Sequence, residues 1–173
     1  MRNDNPFTLW LLGPTSSGKT TIANELLKSL RKKGIPVIHY DGDEIREIIG
    51  DSLGFSALDR LRVVSTIVKL ANKASASGMN VIVSALTANN DARKYIKDNV
   101  NNLIVGYVSC SIHECAKRDP KGLYKKAERG EIDTLIGYNQ DYIAPDSPDI
   151  ILDTELKSKL EIVEYIELYL GIS

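Results

Sequence analysis

Between Gly13 and Thr20 the chain runs Gly13, Pro14, Thr15, Ser16, Ser17, Gly18, Lys19, Thr20, a complete G-x-x-x-x-G-K-T phosphate-binding loop. Such a loop works only between a buried strand and the start of a helix, so it constrains the fold on both sides. The apolar run from Phe7 to Leu12 predicts the strand. Thr21 to Lys33 predicts the helix, with Ile22, Leu26, Leu27 and Leu30 at helical spacing. The glycines permit a tight turn whose backbone N–H groups, from Gly13 through Thr15, Ser16, Ser17, Gly18, Lys19, Thr20 and Thr21, point at phosphate oxygens. The helix N-terminus adds partial positive charge in the same place. Lys19 then reaches the β- and γ-phosphates and the Thr20 hydroxyl ligates Mg²⁺. A chance match or a plain glycine-rich turn is the competing reading, and strand, loop and helix in the right order argue against it. The expected ligand is a nucleoside triphosphate.

A chain of 173 residues supplies one real core, so a single domain is expected over 1–173. Twenty-two Lys and Arg against 23 Asp and Glu leave a net charge of −1, which argues against nucleic acid or a membrane surface as partner. Cys110 and Cys115 have no metal-ligand spacing and read as reduced thiols, which makes the expected location cytoplasmic. No apolar run approaches the roughly twenty residues of a membrane span.

After the first helix, Lys32, Lys33, Gly34 and Pro36 form a stop signal, and Val37 to Tyr40 reads as a second strand. It leads directly into Asp41, Gly42, Asp43, Glu44, Ile45 and Arg46. Ligands of an open parallel sheet bind beyond the carboxyl ends of its strands, which puts both aspartates on the functional edge. Alternatively, Asp43 simply caps the helix carrying Ile45, Ile48 and Ile49. Residues 50–56 read as a loop containing Phe55. Leu58 to Ser77 reads as a long helix with Leu61, Val64, Val68, Leu70 and Ala71 as its apolar stripe. Arg60 in its first turn opposes the helix dipole, so either another partner favours it or it is a solvated charge. The third strand, Met79 to Ala85, contains Ser84 where an ordinary second nucleotide motif has Asp, so the metal-side carboxylate must be Asp41 or Asp43.

A helix over Asn89 to Asp98, a strand over Leu103 to Val108 and a short helix capped by Ser109 or Ser111 follow. The cation-rich run from Arg118 to Gly130 suits either a mobile basic lid or a solvated helical charge run, and charge alone does not choose. Tyr138 to Pro148 is irregular, and Ile150 to Leu152 is a fifth strand. Leu156 to Leu170 is a closing helix with Leu156, Leu160, Val163, Ile166 and Leu170 inward. His39 and His113 read as structural. Strands alternating with helices predict an α/β fold with a parallel sheet covered on both faces.

Several stretches together resemble the adenylyl-sulfate kinase (APS kinase) family. They are the phosphate loop, Asp41-Gly42-Asp43-Glu44-Ile45-Arg46, Leu53-Gly54-Phe55-Ser56 with Asp59-Arg60, Val81 to Ala85, and Leu152-Asp153-Thr154. Most specific is Arg118-Asp119-Pro120-Lys121-Gly122-Leu123-Tyr124-Lys125-Lys126-Ala127. The resemblance implies a single P-loop kinase domain with a five-stranded parallel sheet, helices on both faces and a basic lid over about 118–134. It also implies ATP with Mg²⁺, a small-molecule nucleotide acceptor and a homodimer. The reaction it implies is phosphorylation of the ribose 3′-hydroxyl of adenylyl sulfate. Asp43 would orient and deprotonate that hydroxyl, and Asp41 would support the metal alongside Thr20. Lys121 would neutralise the transferring phosphoryl group. Arg46 and Arg60 would grip the acceptor's phosphate, and Phe55 would be half of an aromatic sandwich around its base. Arg118 and Thr154 would lie at the ATP base.

Three departures from the family pattern fall on the acceptor side. Val63 replaces an Asn of the family's E-N-I-R-R run. Thr87-Ala88-Asn89-Asn90-Asp91 replaces an I-S-P-Y/F-R type segment, and Leu135 replaces the second stacking aromatic. Losing that aromatic costs about 1–3 kcal/mol of base binding. These changes keep open a family member acting on another nucleotide, such as cytidine diphosphoramidate, and a catalytically silent nucleotide-binding module.

Overall fold

The computed structural model describes residues 5–50 and 53–172. Residues 1–4 and 173 of the expected domain, and 51 and 52 of the expected 50–56 loop, lie outside the described residues. The five strands are β1 (Thr8–Leu12), β2 (Val37–Asp41), β3 (Asn80–Ser84), β4 (Leu103–Ser109) and β5 (Ile150–Asp153). All pair in parallel, in the order β2-β3-β1-β4-β5, as the alternating pattern predicts. The helices are α1 (Lys19–Lys32), α2 (Gly42–Ile49), α3 (Ala57–Ala76), α4 (Asn90–Asn99), α5 (Ile112–Arg118), α6 (Leu123–Glu128) and α7 (Lys159–Tyr169).

Central β1 is buried along its whole length because helices cover both faces of the sheet. Its side chains alternate between two cores, as the period of two demands. Leu9 and Leu11 pack with Ile22, Leu26 and Leu30 of α1 and with Ile162 and Ile166 of α7. Trp10 and Leu12 face the other way, against Val64, Ile67, Val68 and Ala71 of α3 and Ile96 of α4. Each of these large side chains contributes about 1.5–3 kcal/mol by leaving water. Glu167 braces the first core by accepting from Ser29 Oγ at 2.6 Å and Lys33 Nζ at 2.9 Å, which ties α7 to α1.

Helix ends differ from expectation in informative ways. The cap of α2 is Asp41, whose carboxylate accepts from the Asp43 backbone, so Asp43 stands in the first turn with its side chain free for other work. Ser111, not Ser109, caps α5. Ser158 and Glu161 form a capping box that starts α7 only at Lys159. Part of the predicted inward face is overturned: Leu156 and Leu160 are exposed, whereas Val163 and Ile166 are buried as expected and Ile162 joins them. On α3 the buried stripe is Val63, Val64, Ile67, Val68 and Ala71, with Leu61 and Leu70 only half-buried at its margin.

The cation-rich run is part helix and part cavity border. Its second half is helix α6, with Lys125 and Lys126 exposed. On the opposite side Tyr124 and Ala127 are buried with Cys110, Cys115 and Leu135 in a small third core. In its first half, Arg118, Pro120 and Lys121 border the cavity described next. No described helix is long and apolar enough to cross a membrane.

Candidate active site

The strands deliver their carboxyl ends to one cavity of about 1000 Å³. The phosphate-binding loop forms its floor. A Cβ at Gly13 would sit 2.5 Å from the Val108 carbonyl oxygen, so no larger residue fits where the loop leaves β1. Ser16 and Gly18 both have positive φ, which turns the chain so that α1 begins at Lys19. Thr15, Ser16, Gly18, Lys19, Thr20 and Thr21 line the cavity. Ser17 does not: its side chain is fully buried and its Oγ has no partner, so only its backbone serves the loop. Lys19 Nζ donates to the Gly13 and Pro14 carbonyls at 2.9 and 2.7 Å. Burial pulls its pKa down to about 8, against the attraction of Asp43.

Beside Lys19 lies a hydrogen-bonded carboxylate. Asp41 Oδ2 accepts from Thr20 Oγ1 and from Ser84 Oγ, both at 2.7 Å, and Oδ1 accepts from the Asp43 N–H at 2.9 Å. Burial pushes the Asp41 pKa up, but those three bonds outweigh it and hold the carboxyl below its usual range. Ser84 gives its proton to Asp41, so its oxygen accepts from His39 Nε2, 2.8 Å away. Burial lowers the His39 pKa, in keeping with a neutral donor ring. His39 therefore does more than fill space: it is the outer end of a chain reaching the cavity. Residues 37, 39 and 41 of a strand share a face, and that alternation was the sequence signal for it. Ser84 occupies the β3 position from which a carboxylate is missing, and it orients the one supplied by β2. Thr20 and Asp41 offer hard oxygen donors suited to Mg²⁺, which takes one or two protein oxygens and fills its shell with water and phosphate. No cluster of three or more His, Cys, Asp or Glu able to hold a metal occurs among the described residues.

Asp43 is exposed to the cavity and ion-paired with Lys121, which the loop before α6 brings across from the other side of the sheet. Burial lowers the Lys121 pKa, but the hydrogen bond and charge of Asp43 outweigh it and hold the ammonium above its usual value. Helix α6 is tied to the phosphate loop by Tyr124, whose hydroxyl donates to the Thr15 carbonyl at 3.1 Å.

Two arginines converge on Phe55. Arg46 lies 4.7 Å from the ring centroid and donates to the Gly54 carbonyl at 2.6 Å. Arg60 lies 5.8 Å from the centroid and donates to the carbonyls of Phe55 at 3.0 Å and Thr134 at 3.1 Å. Those carbonyls are the partners that an arginine in a helix's first turn requires. Burial and the neighbouring Arg46 both lower the Arg60 pKa. Phe55 is 57% exposed, whereas Leu135 is 7% exposed and packed into the third core, so it borders the cavity as a wall and offers no open stacking face. Val63 and Ala88 line the same side.

At the opposite end Arg118 clamps Thr154, with Nη1 3.0 Å from Oγ1 and Nη2 2.8 Å from the carbonyl, while Nε donates to Glu114. Thr154 Oγ1 in turn donates to the Ser17 carbonyl at 2.9 Å, joining β5 to the phosphate loop. The cavity thus has the Arg118–Thr154 pair at one end, an arginine-flanked aromatic at the other, and Lys19, Asp41, Asp43 and Lys121 between. That arrangement can hold a polyphosphate, a divalent cation and a second anionic molecule whose hydroxyl meets the phosphate chain beside Asp43.

Comparison with known proteins gives a consistent result. A family profile described as Adenylylsulphate kinase matches residues 5–153. A probable adenylyl-sulfate kinase of Archaeoglobus fulgidus is 38% identical over 149 residues, covering 86% of this chain and 96% of that relative. The adenylyl-sulfate kinase of Staphylococcus epidermidis is 37% identical over 165 residues, covering 94% of this chain and 82% of its own. Among solved structures, the APS kinase CysC of Mycobacterium tuberculosis in complex with AMPPNP and APS superposes with a TM-score of 0.88 at 30% identity. That match covers 96% of this chain and 98% of the other.

Proposed function

The chain belongs to the adenylylsulphate kinase family, and we propose that it transfers the γ-phosphoryl group of ATP to the ribose 3′-hydroxyl of adenylyl sulfate. The observation that carries this reading is the facing pair Asp43 and Lys121, set where the phosphate-loop end of the cavity meets the Phe55 end. Gly13, Thr15, Ser16, Ser17, Gly18, Lys19, Thr20 and Thr21 form the phosphate cradle, and Arg118 and Thr154 flank the ATP base. Arg46 and Arg60 hold the acceptor's anionic group with planar forks, and Phe55 carries its base, with Leu135 as the neighbouring wall.

Phosphoryl transfer asks the protein for position and charge more than for covalent chemistry. Asp43 fixes the 3′-hydroxyl and receives its proton as the new O–P bond forms and the bond to the β-phosphate oxygen breaks, leaving ADP. Lys19 and Lys121 balance the charge of the transferring group. Thr20 and Asp41 are the residues that would hold Mg²⁺, which supplies charge neutralisation across the phosphates. Asp41 also sets Asp43 by accepting its backbone N–H. This reading takes 1–173 as a single kinase domain with a lid over about 118–134. It further makes the protein a cytoplasmic homodimer. Exposed apolar side chains near the junction of α2 and α3, Ile48 and Leu58, support the dimer, and the free thiols Cys110 and Cys115 support a reducing compartment.

A second acceptor, cytidine diphosphoramidate, is favoured by one observation: Val63, Ala88 and Leu135, the three departures from the family pattern, all border the cavity. ATP consumption measured side by side with adenylyl sulfate and cytidine diphosphoramidate, with the new phosphate located, separates the readings. The expected result is higher kcat/KM for adenylyl sulfate with phosphate at the 3′-oxygen. Preference for the cytidine compound overturns the acceptor, and turnover of neither overturns the assignment as a kinase of these nucleotides.

A further inference from the structure

Beyond Ser84, the chain that leaves β3 becomes a wall of the acceptor end, with Ala85, Leu86, Thr87, Ala88 and Asn89 all bordering the cavity. In the middle of this wall Thr87 has φ +41°, a left-handed value that a β-branched residue rarely adopts. Such a conformation persists only where the surroundings over-determine it. They do so here from two sides. Trp10 Nε1 donates to Thr87 Oγ1 at 2.9 Å, with Trp10 fully buried and Thr87 5% exposed. Arg93 Nε donates to the Thr87 carbonyl at 3.0 Å, and the guanidinium is itself buried and fixed. Its Nη2 donates to the Ile143 carbonyl at 2.6 Å, and its Cζ lies 5.6 Å from the centroid of the Tyr142 ring. Tyr142 stacks on Tyr107 of β4, at 6.3 Å and 10° between planes. At the far end of the wall Asn89 caps α4 by accepting from the Ala92 N–H at 2.7 Å.

Neither Trp10 nor Arg93 borders the cavity, so neither touches a substrate. Trp10 belongs to the strand that ends in the phosphate loop, and its bond to Thr87 ties the acceptor wall to the element that places the ATP phosphates. We propose that Trp10 and Arg93 are positioning residues that hold Thr87 in its kinked conformation, so that the acceptor wall is formed before the acceptor nucleotide arrives. This inference rests on the kinase reading above for what the wall contacts. It predicts that loosening the kink weakens the acceptor's productive binding and leaves ATP alone.

The test compares Arg93→Ala, Arg93→Lys and Trp10→Phe with the wild type. Arg93→Ala is expected to raise KM for the acceptor about tenfold, with KM for ATP within about twofold and kcat within about threefold. Arg93→Lys, which keeps one donor for the Thr87 carbonyl, recovers most of the loss. Trp10→Phe, which keeps the ring but removes the N–H, moves acceptor KM the same way by about threefold and serves if Arg93→Ala does not fold. Amide hydrogen exchange on the ligand-free proteins is expected to accelerate across 86–89 in Arg93→Ala and Trp10→Phe, with β1 and α1 unchanged. Unchanged exchange across 86–89, acceleration spread evenly over the chain, or equal rises in both KM values overturn the proposal. The wild type's turnover of adenylyl sulfate judges the function, and exchange in the ligand-free chain judges the clamp, so either can fail alone.

Discussion

Lys19 gives the most demanding prediction, because its structural setting fixes both a direction and a size. Without nucleotide its ammonium is buried against two carbonyls, and desolvation lowers its pKa from 10.5 to about 8. A bound triphosphate surrounds it with negative charge and restores the charged form, so ATP binding above about pH 8 must carry a proton into the site. The charged fraction in the empty protein falls from about three-quarters at pH 7.5 to about one-thirtieth at pH 9.5. Affinity therefore drops about 25-fold, about 2 kcal/mol at 1.4 kcal/mol per factor of ten. Neighbouring groups do not mimic this. Lys121 is held charged, His39 is held neutral, and the Cys115 thiol is pushed up to about 12. For the empty protein the sign reverses. Between about pH 8 and 10.5 the unfolded chain binds a proton that folded Lys19 has released, so the Lys19 contribution to stability improves as pH rises through that window. Calorimetric titration with an unreactive ATP analogue, at fixed Mg²⁺ and ionic strength in two buffers of different ionisation enthalpy, reads both affinity and proton uptake. Lys19→Met is expected to bind weakly and with a flat pH dependence. Affinity unchanged between pH 7.5 and 9.5, or the same slope in Lys19→Met, refutes the argument.

Two further outcomes follow from named contacts. Lys121→Ala should lower kcat by about 10²–10³ and leave the melting temperature nearly unchanged, because the pair with Asp43 is exposed and contributes under about 1 kcal/mol to folding; a kcat within tenfold of wild type removes Lys121 from the charge-balancing role. Glu167→Ala should cost about 1–3 kcal/mol, read as a drop of a few degrees in Tm, because it frees Ser29 and Lys33 from their α1–α7 bond. kcat should be untouched, and a kinetic defect at constant Tm contradicts the structural assignment.

The sequence was most legible where function and local geometry coincide in a contiguous run. The phosphate loop predicts β1 and α1 because the loop cannot work without them, and strand–helix alternation predicts a parallel sheet. Legibility failed where the deciding contact is distant in the chain. Asp41 and Asp43 are adjacent in function and ambiguous in sequence. Only the bonds to Thr20 and Ser84, 21 and 43 residues away, hold Asp41 at the cap and leave the Asp43 carboxylate to pair with Lys121. Leu156 and Leu160 fit a helical period, but the capping box at Ser158 and Glu161 begins the helix after the first of them and turns the second to solvent. Leu135 lines up with a stacking aromatic, yet the third core claims it from behind. Arg93 carried no local signal, because its partner at Ile143 lies 50 residues on in a segment without regular structure.

The strand order separates what this cavity recognises from what it does. β1 is the middle strand, and the triphosphate cradle therefore sits at the centre of the sheet edge. From there β3 and β2 run toward one margin, carrying Ser84, the Thr87 wall and Asp41. β4 and β5 run toward the other, leading to Arg118 and Thr154. A substitution that reshapes the acceptor wall lies across a strand from the parts that grip ATP. Val63 and Ala88 border the cavity from the β3 side, whereas Leu135 reaches it from the third core beyond β4, so the acceptor end is assembled from both halves of the sheet edge.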